Sequence, residues 1–188
     1  MKSIKYFVQF LIISILFLIF KILGLNFASY LSGKIVSLFG PFFRSKNLIR
    51  SNILKALPDL KTNEVDKISK KMWNNYGRIL AEYIFIKDFR GSKFANKIEV
   101  KGQEILDKIK KNNEAVIFVS GHFNNFELMA MQIEKSGISL AAIYRPLNNK
   151  FLNLIMENIR KKYICKNQIK KGISGTKQLL SFFKKKPL

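Results

Sequence analysis

The segment SGHFNNFELMA, residues 120–130, holds the side chains of this chain best suited to reaction chemistry. His122 is the only histidine among 188 residues and Cys165 the only cysteine, so any histidine-based chemistry must use this one ring. A neutral imidazole, with an ordinary pKa of about 6.5, suits general-base work at cytosolic pH. A loop followed by one helical turn brings residues five apart back together, so Glu127 is expected to accept a hydrogen bond from one ring nitrogen of His122. The other nitrogen is then free to take a proton from a substrate hydroxyl. That is the orienting logic of a catalytic triad whose nucleophile comes from the substrate. The same residues admit a purely structural reading, with Asn124 as a helix N-cap and Glu127 completing a capping box. One His and one Cys are too few for a His/Cys zinc site, and a single Cys excludes an intrachain disulfide.

These residues need elements to carry them. AVIFVS (115–120) reads as a strand that delivers Gly121 and His122 to the carboxyl edge of a sheet. IEV (98–100), LAAIY (140–144) and the more weakly patterned YIC (163–165) read as further strands, with helices around 103–111, 125–136, 149–162 and 175–185. Strands separated by helices point to βαβ units, an α/β fold with a largely parallel sheet whose chemistry lies beyond the carboxyl ends of the strands. Arg145 follows LAAIY as His122 follows AVIFVS, which places both on the same rim. A permanently charged fork there suits a phosphate or a developing oxyanion, the alternative being a surface arginine before Pro146. Asn148 or Asn149 is expected to cap the next helix, with Phe151, Leu152, Ile155 and Ile159 facing the core. Arg160 near its end complements the helix dipole.

Ahead of this region lies an apolar run, YFVQFLIISILFLIF from Tyr6 to Phe20, interrupted only by Gln9 and Ser14. It spans roughly 22 Å as a helix, and continuing to Leu25 brings it to the bilayer core of about 30 Å. A cleaved signal peptide fits the basic start and the length of the run. KILGLNF, however, has a Lys and bulky residues where a small-x-small cleavage site is wanted, so an uncleaved anchor is expected. More positive charge follows the run (Lys21, Lys34, Arg44, Lys46, Arg50) than precedes it, which assigns the bulk of the protein to the cytoplasmic side. From Asn26 to about Phe94 the pattern is helical. Phe27, Leu31, Ile35 and Leu38 recur at helical spacing and suit a segment lying on or in the membrane interface. Val65, Ile68, Met72, Tyr76, Ile79 and Tyr83 form one apolar stripe on a helix expected to be capped by Thr62 or Asn63.

Composition narrows the partners. Apolar residues make up 48% of the chain, while 34 Lys and Arg against 12 Asp and Glu give a formal net charge of +22. Such an excess suits anionic partners: lipid headgroups, an acidic carrier protein, phosphorylated sugars or nucleic acid. Lys outnumbers Arg 28 to 6 beside abundant Ile, Asn and Phe, the signature of AT-rich codon usage, and that bias supplies part of the charge. Scattered lysines and an apolar span do not make a nucleic-acid recognition element, so nucleic acid is set aside.

SGHFNNFE, the downstream YRPLNNKFLNLIMENIRKK and the upstream NILKALPDL together resemble the late acyltransferases of lipid A biosynthesis, the lauroyl and myristoyl transferases. The resemblance runs from the N-terminal anchor to the end of the chain. It implies three regions: an anchor helix over 1–25, a helical membrane-proximal segment over 26–94, and the N-terminal part of an α/β acyltransferase core over 95–188. It implies an enzyme of the bacterial inner membrane that moves a fatty acyl group from acyl carrier protein to a hydroxyl of a phosphorylated lipid A precursor. No metal or bound redox cofactor is implied, and the donor's phosphopantetheine thioester is a substrate. His122 would be the general base and Glu127 its orienting carboxylate, with Arg145, Asn125 and Arg160 as substrate-binding residues. The family pattern reads HFGNWE, so Asn124 here replaces a Gly and Phe126 a Trp. Family members continue through a further strand and a motif with Asp followed by Gln that this sequence lacks. The chain is therefore expected to stop before that fold is complete and to be inactive alone. Two alternatives remain open: a related acyl-CoA-dependent glycolipid acyltransferase, and a non-catalytic basic remnant at the membrane surface.

Overall fold

Gly24 divides the apolar N-terminal region into two helices. A computed structural model describes residues 2–184, and in it the first helix, α1 (Lys2–Leu23), stops where Gly24 takes φ of +75°, a conformation that favours glycine. The helix expected to reach Leu25 therefore ends two residues sooner, and Leu25 opens α2 (Leu25–Phe39). α1 has 22 residues, and an 18-residue stretch of it has a mean hydropathy of 2.4, long and apolar enough to cross a membrane by length and composition. A 3-10 turn (Gly40–Phe43) leads to α3 (Lys46–Ala56) and α4 (Thr62–Glu82), after which α5 (Ile86–Arg90) follows a second short turn. The rest comprises α6 (Gln103–Asn112), α7 (Glu127–Lys135), β1 (Ala141–Tyr144), α8 (Lys150–Tyr163), β2 (Asn167–Lys170) and α9 (Ile173–Lys184). The architecture is mostly helical with a two-stranded parallel sheet. The expected end of the last helix at 185 lies outside the described residues.

The chain forms two compact units, one of Ile15–Phe85 and one of the residues up to Ser14 together with those from Ile86 onward. In the first, α2 and α4 pack through small residues. Ala28, Ser29, Ser32 and Gly33 are buried on α2, Gly77 and Ala81 on α4, and the Ser32 hydroxyl donates to the Gly77 carbonyl at 2.7 Å. Ser29 donates to Glu82 at 2.9 Å and accepts from Arg78 at 3.4 Å, so the interface is polar as well as tight. Tyr76, placed by periodicity on the buried stripe of α4, is exposed, whereas Val65 and Tyr83 are buried as expected. The start of α4 is satisfied by Glu64, which accepts from the Lys61 amide at 2.8 Å; neither Thr62 nor Asn63 is the N-cap.

A side chain at Gly77 has no room, because a Cβ there would lie 2.3 Å from the Ser32 carbonyl oxygen. At an open helical position alanine gains about 1 kcal/mol over glycine. Here the obstacle is backbone, so Gly77→Ala is expected to destabilise the unit by about 1–3 kcal/mol. Thermal or denaturant unfolding in detergent checks the sign, and an alanine variant as stable as the parent would show that the two helices are not held this close.

In the second unit β1, α8 and β2 form a β–α–β crossover with Ala141 opposite Asn167 and Tyr144 opposite Lys170. The strand expected at LAAIY is present. YIC is not a strand: the amides of Ile164 and Cys165 both donate to the Arg160 carbonyl and close α8, and the strand lies downstream in the polar NQIK. IEV and AVIFVS run without a ladder partner, so the expected larger sheet has two strands among the described residues. Extended propensity alone does not make a strand; pairing does. Arg90 fixes the turn before β2. Its Nη1 donates to Glu134 at 2.9 Å and to the carbonyls of Tyr163 and Ile164, while the other Glu134 oxygen accepts from the Lys166 amide at 2.8 Å. Asn149 caps α8 as expected, accepting from the Phe151 and Leu152 amides. Its amide also donates to the Tyr6 carbonyl at 2.8 Å and to Gln9 at 3.3 Å, and Phe151 lies against Phe7 and Phe10.

Candidate active site

The loop from residue 113 to 126 carries His122 into the open. Val119 and Phe123 on either side are 90% and 82% exposed, and Asn124 takes φ of +45°. Asn124 does not cap the helix that follows. The N-cap position falls on Phe126, which has no side chain to serve it, so the expected capping box is not formed. The His122 ring is exposed and meets Phe126 edge-on with centroids 4.3 Å apart. No hydrogen bond joins it to Glu127 among the described residues.

Glu127 is engaged elsewhere. It opens α7, is buried, and accepts from Arg160 Nε at 2.9 Å and also from Arg160 Nη2. Both bonds land on Oε1, and Oε2 has no hydrogen bond among the described residues. Arg160 comes from the last turn of α8, and its guanidinium stacks 5.6 Å from the centre of the Tyr144 ring. The side chains of the pair are only 17% and 9% exposed. Two charges withdrawn from water to this extent depend on one another, since either left alone is a buried uncompensated ion.

Around this pair the chemistry is strongly polarised. Burial and the neighbouring Glu157 carboxylate push the Tyr144 phenol up to about 12. Glu157 itself is held below the usual carboxylate range, chiefly by its bond to Lys161, with Lys170 also near. Burial pushes the Cys165 thiol up to about 11, which makes it a poor nucleophile. No group of three His, Cys, Asp or Glu side chains suited to a metal ion occurs among the described residues.

Of the residues singled out in the sequence, the structure brings Glu127 and Arg160 into contact and buries Asn125 two positions ahead of Glu127. Arg145 stands exposed directly after β1, at the carboxyl end of the strand, as its position in the sequence implies. His122 does not share a sheet rim with it, because 115–120 is not in the ladder. The role of Arg160 as a partner of Glu127, and of Tyr144 beneath it, was not read from the sequence. A signal was available: where Lys outnumbers Arg 28 to 6, each arginine marks a site needing a planar fork.

A family model described as bacterial lipid A biosynthesis acyltransferase matches residues 1–185. The chain belongs to that family. Among its relatives, the lipid A biosynthesis acyltransferase 2 of Shigella flexneri is 31% identical over 71 residues, covering 38% of this chain and 23% of that protein. The lipid A biosynthesis myristoyltransferase of Escherichia coli K12 is 22% identical over 131 residues, covering 70% of this chain and 40% of its own. The chain thus spans less than half the length of the curated relatives it matches. No solved structure matches it.

Proposed function

We propose that the protein transfers a fatty acyl chain from acyl carrier protein to a hydroxyl of a phosphorylated lipid A precursor, working at the cytoplasmic face of the bacterial inner membrane with α1 as its anchor. The observation that carries the site assignment is Glu127: a buried carboxylate with one oxygen held by Arg160 and the other without a hydrogen bond among the described residues, five residues after the exposed His122. That oxygen is the acceptor a catalytic imidazole needs, and the exposed loop of residues 113–126 is the element that must swing to bring the ring to it. His122 would then take the proton of the acceptor hydroxyl as its oxygen attacks the thioester carbonyl. Collapse of the tetrahedral intermediate forms the ester and expels the phosphopantetheine thiolate, which takes the proton back from the imidazolium. Arg145 is assigned to the substrate phosphate or the oxyanion, and Asn125 to substrate contact within the same loop.

The 188-residue chain, and the full open reading frame that contains it, are to be expressed in a bacterial host lacking its own late lipid A acyltransferases. Lipid A from the host expressing the full frame is expected to gain the mass of one fatty acid less water. With purified enzyme, acyl carrier protein thioesters are expected to serve as donors and coenzyme A thioesters to fail. Lipid A of unchanged mass from a well-expressed full frame would sink the proposal, and transfer from coenzyme A alone would reassign the donor.

A further inference from the structure

α2 turns its small residues inward and its large apolar ones outward. The face against α4 is Ala28, Ser29, Ser32 and Gly33, while Phe27, Tyr30 and Leu38 are 54%, 51% and 66% exposed. Their spacing sets these three on one side of the helix, opposite the buried face. An amphipathic helix in water shows the reverse arrangement. Small residues between closely packed helices, with bulky apolar ones outside, are characteristic of helices in lipid.

The following 3-10 turn extends the surface, since Phe42 and Phe43 are each 84% exposed. Charge indicates what covers it. The first acidic residue of the chain is Asp59, and the 58 residues before it hold eight Lys or Arg, of which Lys34, Arg44 and Lys46 are exposed among or beside these rings. Lys34 reaches over the Tyr30 ring at 5.4 Å, a basic and aromatic pairing suited to the headgroup level. The surface also begins one residue after the helix long and apolar enough to span a bilayer.

We propose that the outer face of α2 and the Phe42–Phe43 turn insert into the headgroup and upper acyl region of an anionic leaflet, a second lipid contact in addition to α1. This shares with the proposed function only the presence of a bilayer. It requires neither acyl transfer nor that α1 cross the membrane.

The test labels single cysteines introduced as Leu38→Cys, Phe43→Cys, Lys71→Cys and Ile12→Cys in the full chain with an environment-sensitive fluorophore. The native Cys165 is fully buried with its thiol pKa raised to about 11, so it stays unlabelled at neutral pH. After reconstitution into vesicles of phosphatidylcholine and phosphatidylglycerol, brominated acyl chains are expected to quench the probes at 38 and 43 several-fold more than the probe at 71. Aqueous iodide is expected to show the opposite order. Probes at 38 and 43 as open to iodide as the one at 71 would overturn the proposal. Protection from both quenchers would also overturn it, by showing that protein, such as a second copy of the chain, covers the face. The probe at 12 reports on α1 separately: if it alone escapes lipid quenching, the anchor reading fails while this one stands.

Discussion

Replacing His122 with alanine is expected to lower acyl transfer by roughly two to four orders of magnitude, the range a positioned general base supplies. Hydroxyl attack on a thioester leaves a proton that must go somewhere as the bond forms, and the chain offers one imidazole to take it. The ring is exposed and its ring contact is with Phe126, so folding stability should move by no more than about 0.5 kcal/mol, as for an ordinary surface position. Activity and stability therefore separate in this variant, which makes it a clean probe of chemistry. Transfer to lipid A at the parental rate by a folded His122→Ala protein would refute the assignment of the base.

The second large effect is expected at Arg160. Arg160→Met removes the guanidinium but keeps its apolar stem, leaving the Glu127 carboxylate buried without its partner. Breaking such a pair costs about 3–5 kcal/mol. Adding Glu127→Leu should recover most of that loss, because replacing a buried pair with apolar side chains is often neutral. Transfer should not return, since the double variant has lost the carboxylate proposed to orient His122. Unfolding in detergent measures the stability half of the cycle and lipid A mass the other. A single Arg160→Met variant within about 1 kcal/mol of the parent would mean that the pair is solvated and carries little weight.

Where apolar periodicity or a capping residue dominates, the sequence was a good guide. α1, α6 and α8 lie close to their expected positions, and Asn149 caps α8. The α2–α4 interface escaped because its buried face is glycine, alanine and serine, which no hydrophobic pattern rewards: periodicity points to Tyr76, which is exposed, while Gly77 beside it is buried. YIC misled because a helix end can be as apolar as a strand: Ile164 and Cys165 are buried while the backbone is still closing on Arg160. At the site, chain spacing located Glu127 but not its partner. Whether a carboxylate meets a histidine five residues away or an arginine 33 residues away depends on how α7 and α8 pack, which spacing along the chain does not encode.

Asn149 holds the start of α8 and, by the same side chain, the backbone of α1 at Tyr6 and the amide of Gln9. The N-terminal helix is thus a keyed part and not an interchangeable tether. With a foreign helix of equal length and hydropathy in its place, Asn149 would lose the glutamine acceptor and Phe151 the two rings beside it. Exchanging this helix for that of a relative would for this chain alter the footing of the helix that carries Arg160 to Glu127.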